Sequence, residues 1–142
     1  MQRTMAEKPS WTEISANTSK KARLQALFQH IGSEERLEAI LSVFYQRLSG
    51  DLLVGFFFTG KDLGQIAKMQ AAFLLKAMGV RPTYPGKLPT DAHKAIPPIL
   101  KGHFDRRLIV LREVLNEQEL APEFVEVWIE FEEAFRTNVV QD

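Results

Sequence analysis

From about residue 22 to the C-terminus, apolar residues recur three and four positions apart, and nowhere does an alternating β-branched run last more than a few positions. That period lines apolar side chains along one stripe of a helix, so the chain is constrained to an all-α fold. Residues 1–21 are rich in Ser, Thr, Lys and Glu without a sustained period and read as a flexible or loosely docked extension, with Trp11 and Ile14 as its anchors. Residues 22–142 read as one helical domain.

The stops and starts are legible. A first helix over Ala22–Ile31 carries Leu24, Leu27 and Ile31 on one face and ends at Gly32, a residue suited to the left-handed turn that closes helices. Ser33 caps the next, with Glu34 and Glu35 in its first turn, where the helix dipole favours anions. That helix runs to Leu48, burying Leu37, Ile40, Leu41 and Phe44, with Tyr45 beside the stripe. The run Leu52–Phe58 reads as too Phe-rich for a surface segment. Asp62 with Gln65 has the form of a capping box for a third helix over Leu63–Met78, whose inward face is read as Ile66, Met69, Gln70, Phe73 and Ala77. After Gly79 comes a Pro/Gly-rich loop containing Tyr84, then a turn or two of helix over Thr90–Ala95 carrying His93, broken by Pro97-Pro98. A fourth helix from Gly102 places Phe104, Leu108, Leu111 and Leu115 on one face, and a last one from Pro122 buries Phe124, Val127, Trp128, Phe131 and Phe135.

Composition removes several function classes. Eighteen basic and eighteen acidic side chains give no net charge, hence no field to hold nucleic acid. The absence of Cys removes disulfides, thiol nucleophiles and thiolate metal ligands together. No stretch reaches the ~20 apolar residues of a membrane span, and the first twenty residues lack the apolar core of a secretory signal, which points to the cytoplasm. There is no GxSxG elbow, P-loop, GxGxxG or HExxH, and Glu130, Glu132 and Glu133 read as a solvated face. Ten Phe residues suit either a core or the walls around a flat apolar ligand.

Three side chains break the apolar code of the faces they sit on or beside: Tyr45, Gln70 and His93. Burying a hydroxyl, an amide or an imidazole unpartnered costs on the order of 1–3 kcal/mol, so each demands an account. Taken singly, each has an ordinary one: a tyrosine reaching solvent, a glutamine snorkelling out, a histidine satisfied by a neighbour. His30, near a helix C-terminus, and His103, in an exposed first turn, read as surface imidazoles.

The segments LFQHIGSEERLEAILSVFYQRL, FFTGKDLGQIAKMQAAFL and YPGKLPTDAHKAIPPILKGHFDRRL, in that order, resemble group I truncated haemoglobins from about Leu24 to Val140. Phe44-Tyr45 matches the aromatic pair that ends the family's B helix. Phe57-Phe58-Thr59-Gly60 matches its Phe pair and small-residue turn, and DAHK matches the segment of its proximal histidine, at His93. The resemblance implies a two-over-two helical sandwich, helices B and E across G and H, with haem held by His93 at the iron. It implies Tyr45 and Gln70 as hydrogen-bond donors to a bound diatomic ligand and Ile66 at the gate. It places Phe44, Phe58, Met69, Phe73, Tyr84 and Phe104 around the cofactor.

Some positions depart from the pattern. Gly32-Ser33 and Gly79-Val80 each keep half of a glycine pair, and Met69 stands where relatives carry a basic residue for a haem propionate, leaving Lys68 or Lys87 for that role. Arg107 falls where an apolar residue usually lines the pocket. In function, the resemblance implies binding of oxygen, nitric oxide or another diatomic gas, with oxidation of nitric oxide to nitrate as the accompanying reaction. With no flavin or nicotinamide motif, that turnover calls for an outside reductase. A gas sensor without turnover and a globin-like interaction protein without haem are the alternatives.

Overall fold

The computed structural model describes residues 19–86 and 96–142, so the His93 assignment, Lys87, the predicted Thr90–Ala95 turn and the anchors Trp11 and Ile14 lie outside the described residues. Helix α1 spans Lys20–Ile31 and begins two residues earlier than its period suggests, because Ser19 caps it by accepting from Ala22 N at 3.2 Å. Gly32 closes it with φ 101°, a conformation that costs any L side chain. Helix α2 spans Glu34–Ser49, and Ser33 Oγ accepts from Arg36 N at its start.

A 3-10 turn over Gly55–Phe58 joins α2 to helix α3, Leu63–Ala77. Asp62 does cap α3, accepting from Gln65 N at 3.0 Å. The Leu52–Phe58 run behaves differently from its reading as a buried segment: Leu52, Leu53 and Phe56 are exposed and only Val54 is buried. Asp51 Oδ1 accepts from Leu53 N and Val54 N, a tight turn that aims Val54 inward and its two predecessors outward. Gly55 is required there, since a Cβ on it would meet the Ser49 carbonyl oxygen at 2.6 Å.

Helix α4 spans Lys101–Glu117, α5 spans Pro122–Glu133, and a short α6 covers Arg136–Val139. Among the described residues there is no strand, just one parallel bridge between Ile99 and Val140 that ties the C-terminus to the start of α4. Helix α2 packs on α3 and across α4, α4 packs on α5, and α1 lies against α5. The shared core holds Trp128, Phe44, Leu41, Leu74 and Leu111, all essentially inaccessible to solvent. In α4 the buried stripe runs through Val110 and Val114 and leaves Leu108 half-buried, a rotation of the predicted face; Phe131 and Phe135 of α5 and its C-terminal turn are likewise half-buried. No helix among the described residues is long and apolar enough to cross a membrane.

Candidate functional site

The faces of α2, α3, α4 and α5 that do not close on one another enclose a cavity of about 430 Å³. Ligand pockets typically occupy some 300–1,000 Å³ and are mostly apolar with a few placed polar groups, and this one fits that description. Phe58, Ile66, Met69, Phe73 and Phe104 all line it, and so does Tyr84, whose ring packs on Phe73 at 5.1 Å. Phe44 does not. It is fully buried behind Tyr45, at 5.1 Å between ring centroids, and belongs to the core.

The α3 residues on the cavity wall, Ile66, Met69, Gln70 and Phe73, are half-buried, while its deeply buried face is Ala67, Ala71, Leu74 and Leu75. The inward face read from the sequence is therefore the cavity wall, and a second apolar face closes the core. Tyr84 and Ile96, on either side of residues 87–95 in sequence, both line the cavity.

Polar groups gather at one end. Tyr45, buried on α2, accepts a hydrogen bond from Arg107 Nη2 at 3.3 Å. Arg107, on α4, forks onto Glu132 Oε2 of α5 through Nη2 at 3.1 Å and Nε at 3.3 Å, and its guanidinium carbon lies 4.9 Å from the centre of the Phe44 ring. Gln70 Nε2 donates to the other Glu132 oxygen at 3.5 Å, a long bond. Burial works against the Arg107 charge, but Glu132 and Tyr45 together more than offset it and raise the guanidinium above its ordinary value. Burial, opposed by Arg107 and helped by Glu132, pushes the Tyr45 phenol up.

Glu132 corrects the reading of a solvated acidic face: it is 5% exposed. The signal was present in the spacing, since Glu132 follows Phe124 and Trp128 at four-residue intervals and so shares their buried face. Arg107 has the same kind of position, three residues after Phe104 and four before Leu111, both buried. Opposite charges on the apolar stripes of two adjacent helices satisfy each other.

His103 also lines the cavity rather than standing free in an exposed turn. Its Nδ1 accepts from Leu100 N at 3.0 Å, and its ring meets Phe57 edge-on at 5.1 Å. His30 is likewise engaged: Nε2 accepts from Ala121 N at 3.0 Å, and the ring stacks on Phe124. Lys68 does not line the cavity, whereas the exposed Lys61 does.

A family model described as bacterial-like globin matches residues 26–141. A group 1 truncated hemoglobin of Tetrahymena pyriformis is 31% identical over 93 residues, 66% of this chain and 76% of that protein. One from Chlamydomonas moewusii is 33% identical over 98 residues, 68% of this chain and 57% of that protein. The solved Fe(III) form of the Tetrahymena pyriformis truncated hemoglobin superimposes with a TM-score of 0.74 at 26% identity, covering 82% of this chain and 98% of that one. The 2/2 hemoglobin of Synechococcus sp. PCC 7002, solved in the cyanomet state with covalently attached heme, shares the fold at a TM-score of 0.72 and 21% identity, covering 80% of this chain and 97% of that one. The chain belongs to the bacterial-like globin family, as a truncated haemoglobin with the two-over-two helical fold.

Proposed function

We propose that the protein binds haem in this cavity, with His93 as the protein ligand to the iron, and takes up a diatomic gas such as oxygen at the end where Tyr45 stands. The observation that carries the reading is the division of the cavity into aromatic and aliphatic walls with hydrogen-bonding groups gathered at one end. A flat macrocycle is well matched by walls of Phe58, Phe73 and Phe104, and the buried ion pair, being neutral as a whole, adds no net charge against it. Haem, if bound, would supply an iron able to bind both an imidazole and a diatomic gas.

The chain's own residues do the rest. Phe58 packs edge-on against Tyr45 at 5.9 Å and holds its ring in place. The Tyr45 side chain is buried, and a hydrogen bond offered by its hydroxyl counts for more there than at the surface. Ile66 adds bulk without a donor, and Lys61 at the rim is the cation suited to the carboxylates of haem. Tyr84 and Ile96, which flank residues 87–95 in sequence, both line the cavity, and this supports His93 as the ligand.

Titrating the purified full chain with haem while recording the Soret absorbance tests the reading. The expected result is a band that saturates at one haem per chain and whose position changes in His93→Gly. Absorbance that rises without saturation would overturn haem binding, and a His93→Gly spectrum identical to the native one would remove His93 from the iron.

A further inference from the structure

A tyrosine hydroxyl has one proton to give and lone pairs to receive, whereas a guanidinium can only give. Since Arg107 Nη2 sits 3.3 Å from Tyr45 Oη, the tyrosine oxygen is the acceptor in that bond, and its own proton remains to be spent elsewhere. No acceptor among the described residues takes it, and Tyr45 lines the cavity. Arg107 in turn cannot swing away, because Glu132 grips it through two nitrogens and Phe44 lies beneath it. Gln70 gives one of its two amide protons to Glu132 across a long 3.5 Å contact and keeps the other.

We propose that the Arg107–Glu132 pair is a positioning device that commits Tyr45 to donating its hydrogen bond to the gas ligand. It rests on the haem-binding reading above and refines it: the guanidinium engages the tyrosine oxygen as an acceptor and leaves the hydroxyl proton to the cavity. Without the pair, the Tyr45 hydroxyl can rotate between giving and receiving. An ion pair that merely braces α4 against α5 would leave the role of the Tyr45 hydroxyl unchanged.

The test is a double-mutant cycle on the haem-loaded full chain. Tyr45→Phe is measured in the native background and in Arg107→Met/Glu132→Met, where both charges leave together so that no lone buried charge remains. In the native background Tyr45→Phe is expected to speed oxygen dissociation about tenfold to a hundredfold, the loss of one hydrogen bond to a charged group. In the paired background the same substitution is expected to change the rate less than about threefold, by the same free-energy conversion. The carbonyl stretch of the carbon monoxide complex gives a second, spectroscopic readout: a fixed donor lowers it, so the paired variant should shift upward even with Tyr45 present. An equal effect of Tyr45→Phe in both backgrounds, with an unmoved stretch, would overturn the proposal. Tyr45→Phe alone keeps the question open to refutation should the paired variant not fold: the carbonyl stretch should rise, and an unmoved stretch would contradict Tyr45 as the donor. A chain that shows no Soret band on haem addition fails at the earlier step and takes this inference with it.

Discussion

Helix α3 carries two apolar faces with opposite relations to space. On one, Ala67, Ala71, Leu74 and Leu75 are almost wholly buried in the core that α3 shares chiefly with α2. Small side chains there let the two helices approach closely, and leucines fill what is left. On the other, Ile66, Met69, Gln70 and Phe73 are half-buried and border a cavity of about 430 Å³. The first face is finished when the chain folds, whereas the second keeps part of its apolar surface unburied and so is suited to a ligand. One helix thus divides its sequence between stability and binding.

Substitutions on the two faces should separate those quantities. The largest effect is expected from Leu74→Ala on the closed face: a loss of about 2–5 kcal/mol in urea unfolding of the haem-free chain, since it opens a void in a filled core. Phe73→Ala should cost about 1–2 kcal/mol in the same measurement, chiefly its contacts with the rings of Tyr84, Phe131 and Phe135. Equal costs at the two positions would break the distinction between the faces.

A smaller effect sharpens the account of the polar end. The folded chain holds the Tyr45 proton more tightly than the unfolded chain does. Its contribution to stability is therefore complete below the ordinary phenol value of 10.0 and is lost as pH rises from there through the folded value. Urea midpoints of native and Tyr45→Phe chains should keep a constant difference up to about pH 10, and the native midpoint should then fall faster. Parallel curves across that range would mean that the Tyr45 hydroxyl is not sequestered.

The helices were readable because their signals are local. Ser33 and Asp62 cap where they stand, and Gly32 turns where the period stops. The candidate site was readable in part, since Tyr45, Gln70 and Phe73 fall on faces whose direction follows from helical spacing. Glu132 and Arg107 were harder because a charge on a helix usually faces water, and the compensation of each comes from a different helix, twenty-five residues away in sequence. Phe44 illustrates the opposite case: the resemblance placed it around the cofactor, but it lies in the core, as the helical period had it, because one residue along a helix turns the side chain by about 100° away from Tyr45. The exposed Leu52 and Leu53 owe their orientation to backbone bonds made by Asp51, which hydropathy does not register.

The central claim, that one face of α3 completes the core and the other completes a haem site, is tested most directly by the gain in unfolding free energy on adding haem. That gain follows mass action, about 1.4 kcal/mol per tenfold rise of free haem beyond its dissociation constant. For native protein and Leu74→Ala the account predicts the same gain from different baselines, and for Phe73→Ala a smaller gain from a baseline lowered less than that of Leu74→Ala. No gain in the native protein, or equal gains in all three, would contradict it.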